Sequence, residues 1–478
     1  MTNRSRREFV RNALCATASS ALFPAMLGKL SLAQAAITPG TSVLQGTGYR
    51  ALVCLYLYGG NDAFNMMVPR DAAHYATYAA TRSALALPAA GLLPITPTVA
   101  PADGAQYGLH PRMGALRDVF ESGKAAIVAN VGPLLYPITR AQFEAGSVPT
   151  PAQLYSHSDQ QLFWQTPRAD TSERTGWGGK LADLFFASNA NPILSMNISL
   201  DGENVYQAGV QVSPYFMNAG GAETIWPIEG EWAARRRAAF DALYARNYAH
   251  PFERAVVQKM GRTRAVSAQL EDALAAVPAD TAPFNRFDQA WAALSPAREV
   301  PWFARQLQMV ARLLAVRGTL EMSRQIFFVG MGGFDTHATQ LVDHGELMED
   351  LALALKTFHQ VTTDLAIADR VTTFTASEFG RSLTRNEDGT DHGWGSHHLV
   401  VGGSVNGRRI YGRPPSLLAD NNPDDTGYGQ VIPTTSVEQY AATIAKWYGL
   451  SDTDRATVFP NLSRFASADL GFMNPAPA

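Results

Sequence analysis

Short apolar runs, each broken off by glycine and polar residues, constrain this chain more than any other feature. Ala51-Leu52-Val53-Cys54-Leu55-Tyr56-Leu57 is continuous and of strand length, and Gly59-Gly60 stops it. Runs of the same kind lie at 125–131, 193–200, 326–329, 371–375 and 399–401. Runs without polar alternation suit strands covered on both faces. Between them the apolar spacing is helical, over 111–122, 178–187, 232–277, 302–322 and 341–368. Strand and helix alternating in this way predict an α/β fold, a mostly parallel central sheet flanked by helices. The Pro- and Gly-rich stretch 85–108 reads as an irregular excursion, and 203–228 as a small hairpin or a lid. No fixed-period repeat and no low-complexity linker divides the rest, so 36–478 reads as a single domain with a helical insertion near 229–320.

The first residues carry a different message. Arg4, Arg6, Arg7 and Arg11 precede a moderately apolar stretch, and Ser5-Arg6-Arg7-Glu8-Phe9-Val10 has the twin-arginine order. The stretch ends in Ala33-Gln34-Ala35, the small-x-small pattern of a signal peptidase site, which predicts cleavage before Ala36. Residues 1–35 are therefore expected to be a twin-arginine signal peptide, with the twin-arginine translocase as partner during export and a periplasmic or secreted mature protein. Pro24 and Lys29 interrupt the segment, whereas a span needs roughly 20 apolar residues, so no stable membrane span is expected.

Loss of the leader removes five Lys or Arg and one Glu from totals of 39 basic and 42 acidic residues, leaving a net charge of −7. With no basic run apparent, nucleic acid is excluded as a partner, because phosphate binding needs clustered Lys and Arg. Cys15 leaves with the leader and Cys54 lies in an apolar strand, so an intramolecular disulfide is excluded. Without one, an exported chain relies on core size or bound metal, and a 46% hydrophobic content supplies a large core.

Ligands in open α/β sheets gather beyond the carboxyl ends of strands. Polar clusters follow three of the runs. The first is Gly59-Gly60-Asn61-Asp62-Ala63-Phe64-Asn65, and the second is Gly332-Gly333-Phe334-Asp335-Thr336-His337. The third is Ser377-Glu378-Phe379-Gly380-Arg381, followed by Asp391-His392-Gly393 and by His397-His398. Carboxylates and imidazoles are the ligands that Mn²⁺ and Zn²⁺ accept, and six of the ten histidines fall between His337 and His398. Asp335 and His337, two apart in extended chain, point the same way and can share an ion. Turn chemistry accounts for isolated Asp62, Asp335 or Asp391, since Asp bonds its own backbone. It does not account for three clusters converging on one sheet edge. His344 and His359 lie in a helical pattern and read as packing or surface residues. Of adjacent His397 and His398, at most one faces a site.

These four motifs, with the leader, resemble the bacterial family catalogued as domain of unknown function fifteen-oh-one, over nearly the whole mature chain. That family is similar to the alkaline phosphatase and sulfatase superfamily. The resemblance implies an alkaline phosphatase-like fold and an exported metal-dependent hydrolase of phosphate, sulfate or related esters. It implies one or two ions, Zn or Mn, held by Asp62, Asp335, His337, Glu378, Asp391 and His392, with His397 or His398 as alternatives for the last histidine. The spacing of Asp335 and His337 is shorter than the superfamily's Asp-x-x-x-His, and the Cys-x-Pro-x-Arg sulfatase signature is absent. Tyr155-Ser156-His157-Ser158-Asp159-Gln160-Gln161-Leu162 is similar to the Asn-Ser-Glu helix start of cofactor-independent phosphoglycerate mutases. Ser158 is thereby the implied nucleophile, and a plain helix cap the competing role for it or for Ser156. Arg381 is placed to steady an anionic ester by a bidentate contact. A member that has lost catalysis and serves as a periplasmic binding or assembly protein is the competing expectation.

Overall fold

The computed structural model describes residues 48–171, 173–222, 228 and 230–475. The leader at 1–35 lies outside the described residues.

In chain order the elements that matter here begin with β1 (Arg50–Leu57), α1 (Ala63–Met66) and α2 (Ala72–Arg82). There follow β2 (Ala125–Gly132), α3 (His157–Gln165), α4 (Trp177–Phe185), β3 (Asn197–Ser199) and β4 (Tyr215–Phe216). Next come α5 (Ala234–Tyr244), α6 (Pro251–Ala275), α7 (Trp302–Ala315), β5 (Arg324–Met331) and α8 (Gln340–Asp364). The last are β6 (Val371–Ser377), β7 (Arg381–Asn386), β8 (Gly389–His392), β9 (Ser396–Gly402), β10 (Ile410–Tyr411), β11 (Thr435–Ser436) and α9 (Val437–Tyr448).

The central sheet runs β10-β2-β9-β6-β1-β5-β3-β4, with β11 also on β2. It is mostly parallel, as the apolar runs predict; among its described strands, β9 runs antiparallel to its neighbours β2 and β6, and the other pairings of this sheet are parallel. Every residue of β1, β2, β5, β6 and β9 is buried, which is why these strands lack alternation. Helix α9 starts at a reciprocal Ser436/Gln439 capping box and is buried on almost every side. Helix α7 sets Leu307, Val310 and Leu314 into the core. Among the described residues no helix is long and apolar enough to cross a membrane.

Several sequence boundaries move. The run 193–200 yields only the short β3, because Asn191 and Ser195 bond loop backbone around it. Within the stretch expected to be a small hairpin or lid, residues 215–216 add a parallel edge strand to β3 and Asn218 bridges Gly221 antiparallel, while 223–227 lie outside the described residues. The excursion 85–108 contributes two strands of a small sheet of Met67–Pro69, Leu93–Pro94 and Tyr107–Leu109. The helical pattern 232–277 is two helices, α5 and α6, separated at Asn247 to His250 ahead of Pro251. The chain divides into two compact units, one holding 224–268 and the other 41–223 with 269–478.

One register statement positions the rest. Leu57 at the end of β1 lies opposite both Met331 of β5 and Ser377 of β6. Three parallel strands finish level, and the segments that follow them emerge side by side.

Candidate metal centre

Asp335 is seated by the exit of β1. The Phe334 amide donates to the Tyr58 carbonyl at 3.1 Å. Gly59 has φ +109°, and a Cβ there would stand 2.3 Å from the Asp335 nitrogen, so only glycine allows this approach. Arg381, fully buried, donates from Nη1 to Asp335 Oδ1 at 2.7 Å and to the Gly59 carbonyl at 3.2 Å. Partial burial works to raise the Asp335 carboxyl, but Arg381, His337 and His392 together outweigh it and hold the group below its ordinary value.

His157 opens α3. Its Nδ1 forms a close pair with Oε2 of buried Glu378, whose Oε1 accepts from Gln161 Nε2 at 2.6 Å. His157 and Gln161, four apart, share the helix face that grips this carboxylate. With Nδ1–H committed to Glu378, the lone pair of the neutral ring is on Nε2, 3.7 Å from Asp335 Oδ2. His392 closes β8 and reaches the same carboxylate. Its Nδ1 is 2.7 Å from the Tyr155 carbonyl, which can only accept, so Nδ1 carries the proton and Nε2 the lone pair. That Nε2 lies 3.2 Å from Asp335 Oδ1. Burial, with Arg381 and His157, lowers the His392 pKa and favours the neutral ring.

His337 Nε2 is 3.1 Å from both His392 Nε2 and Asp335 Oδ1, and its Nδ1 is 3.3 Å from Asp391 Oδ1. His157, Asp335 and His392 each offer a ligand atom, all within 4.8 Å of one another. Ligands about 2.1 Å from one tetrahedral ion stand roughly 3.4 Å apart, so the observed separations suit one shared ion. Lone pairs converging on carboxylate oxygens repel unless a cation or proton lies among them. The backing of each imidazole by a carboxylate or carbonyl is the outer arrangement that metal-bound histidines use.

The residues expected from sequence are therefore distributed unevenly. Asp335, His337 and His392 come together. Asp391, largely exposed, backs His337 and accepts from Asn386 Nδ2 at 2.6 Å. Glu378 sits behind His157, with both oxygens engaged. Asp62 is not brought to the cluster. It accepts from the Phe64 amide at the start of α1, and its other oxygen is held by buried Arg82 and by Gln340. The turn at Gly59-Gly60 points this side chain toward α2 and α8. Arg381 is not free for an anionic ester, since Asp335, Gly59 and Thr390 take up its guanidinium. Ser158 is exposed, with Oγ 3.4 Å from Ser156 Oγ. One helical step turns it about 100° from the His157 face. Ser156 is the N-cap residue, yet its hydroxyl bonds Asp159 at 2.6 Å and makes no backbone cap.

His397 and His398 are both buried in β9, one accepting from the Asn130 amide and the other against Trp164, and neither joins the cluster. His344 is a packing residue 3.1 Å from Asn61 Oδ1. His157 is the functional candidate that sequence reasoning passed over. Its signal was its place at a helix start, four residues before Gln161, hidden between two serines.

A family model described as Protein of unknown function (DUF1501) matches residues 49–464, a span that includes every residue of the cluster. No curated protein matches the chain. Among solved structures, the crystal structure of Ps i-CgsB is 11% identical, covering 90% of this chain and 78% of that one, with TM-score 0.34. The crystal structure of Ps i-CgsB in complex with k-i-k-neocarrahexaose is 10% identical over the same shares, with TM-score 0.32. Likenesses this distant carry no functional argument. The family match, spanning most of the chain, places this protein as a member of the family described as Protein of unknown function (DUF1501).

Proposed function

We propose that this protein is an exported metal-dependent hydrolase of phosphate, sulfate or related esters, with a fold akin to the alkaline phosphatase and sulfatase superfamily. The observation that carries the reading is the convergence of His157 Nε2, His392 Nε2 and the Asp335 carboxylate beyond three level strand ends. These three, with His337 beside them, would hold a Zn or Mn ion. A bound ion of this kind supplies Lewis acidity, polarising the ester and easing deprotonation of the attacking hydroxyl or water. The chain's own residues do the positioning. Arg381 keeps Asp335 ionised, while Glu378 and the Tyr155 carbonyl each hold an imidazole with its lone pair on Nε2. Metal analysis of protein purified without chelator, followed by assay on aryl phosphates and sulfates, tests the proposal. Bound metal with metal-dependent turnover is expected, and absence of both overturns it.

One observation favours a second reading, a metal-bound binding or assembly protein without turnover. Ser158 is turned aside, and the Arg381 guanidinium is taken up by Asp335, Gly59 and Thr390, so neither residue expected to act on the ester is free to hold it. A rise in melting temperature with Mn²⁺ or Zn²⁺, without hydrolysis of any ester, selects that reading. Export rests on the leader. Arg6→Lys with Arg7→Lys should leave precursor in the cytoplasm, and an unchanged periplasmic yield would rule out the twin-arginine route.

A further inference from the structure

The unit holding 224–268 differs in charge from the rest of the chain. It has eight Lys or Arg against four Asp or Glu, whereas the whole sequence is net −3. The consecutive Arg235, Arg236 and Arg237 correct the expectation that the chain lacks a basic run. Arg235, Arg236, Arg246, Arg254, Lys259 and Arg262 are exposed. Large apolar side chains stand among them: Trp232 is 59%, Phe252 55% and Leu243 48% exposed. The Arg236 guanidinium lies 4.5 Å from the Trp232 ring centroid. No residue of helix α5 is fully buried: Leu243 is exposed, and Phe240 and Tyr244, half-buried, stack on each other. An eleven-residue helix draws little stability from its own hydrogen bonds, so one with no fully buried residue is suited to a partner surface.

We propose that this unit docks on a bilayer surface rich in anionic phospholipid. The partner follows from two features together. The excess of arginines meets negative headgroups, and exposed Trp, Leu and Phe enter the boundary between headgroups and acyl chains. A nucleic acid or anionic polysaccharide satisfies the arginines but leaves Leu243 and Phe252 without a role. Docking of this kind adds no membrane span and holds an exported protein at a membrane face. It does not depend on the ester hydrolase reading, because none of its residues belongs to the metal cluster.

Vesicle co-sedimentation tests it, with phosphatidylglycerol and phosphatidylcholine in equal parts against phosphatidylcholine alone. The protein should sediment with the anionic vesicles and not with the neutral ones, and binding should fall as salt shortens the range of the charges. The Arg235→Gln, Arg236→Gln, Arg246→Gln variant should bind roughly tenfold or more weakly, given the contribution of each arginine at an anionic surface. Its melting temperature should match the wild type, since these are exposed positions. Trp232→Ala with Leu243→Ser should also reduce binding and leave its salt dependence in place. Equal binding to neutral vesicles, or unchanged binding by the arginine variant, overturns the proposal. So does retention on heparin with no sedimentation on anionic vesicles, which assigns the surface to a polyanion instead.

Discussion

The imidazole of His157 is oriented by a carboxylate that is itself almost wholly buried, and the site's chemistry turns on that pair. Glu378→Gln keeps an acceptor of the same size but removes the charge that fixes the Nδ1–H tautomer. Metal affinity should fall about 10- to 100-fold, the usual cost of losing an outer partner of a metal-bound histidine. Asp335→Asn should lower metal content further, because it removes the carboxylate shared by His157, His337, His392 and Arg381. Ser158→Ala is the control. Its hydroxyl is exposed and makes no cap, so metal content and melting temperature should stay within error of wild type, and any ester hydrolysis should continue at the wild-type rate. Metal analysis and calorimetry on the three variants separate these outcomes. Equal metal content in Asp335→Asn and Ser158→Ala would remove Asp335 from the site. At this scale the sequence exposed Asp335, His337 and His392, because carboxylates and imidazoles beside glycine are conspicuous. It did not reveal that Asp62 turns away to Arg82, since that depends on which buried cation lies nearby.

The turn after β1 works as an element, not as a set of side chains. Gly59 lets the segment after β5 lie against it, and an added Cβ meets the Asp335 backbone at 2.3 Å in a conformation L residues seldom adopt. Gly59→Ala should therefore cost about 1 kcal/mol or more in denaturant melts and weaken metal binding, although no ligand is altered. Wild-type metal affinity in that variant would show that the contact does not set Asp335. Strand β9 illustrates what pattern alone does not supply. It reads as another short apolar run, but it is antiparallel to both neighbours and buries His397 and His398 in the core. Antiparallel and parallel strands share the same apolar content when both faces are covered, so direction was not legible.

Over the whole molecule, buried ionisable groups shape stability against pH from both sides. Burial pushes His398 down to about 3 and His397 and His344 down to about 4. In the unfolded chain these rings take a proton near pH 6.5. Between about 4 and 6.5 the unfolded state therefore binds more protons, and stability falls as pH drops through that window. Burial moves Glu438 the other way, up to about 8, so the folded state keeps a proton that the unfolded carboxyl releases near its ordinary value of 4.5. That loss grows as pH rises from about 4.5 to 8. Glu438→Gln should accordingly raise the melting temperature above pH 8 and change it little near pH 4.5, whereas His398→Gln should flatten the acid side. Parallel melting curves for wild type and Glu438→Gln across that range would remove Glu438 from the alkaline loss.

The sequence by itself determined the α/β class, the long buried strands β1, β2, β5, β6 and β9 and the sheet edge at which polar residues collect. Those properties rest on local patterning, in which apolar runs must be covered and glycine must follow where the chain turns sharply. Tertiary structure decided which polar residues meet. The level ends of β1, β5 and β6 bring Asp335 beside Arg381, the β7–β8 pairing returns His392 to that carboxylate, and α3 delivers His157 from more than 170 residues away in the chain. No spacing rule reports such a meeting, because it is set by strand order and helix rotation and not by neighbours along the chain.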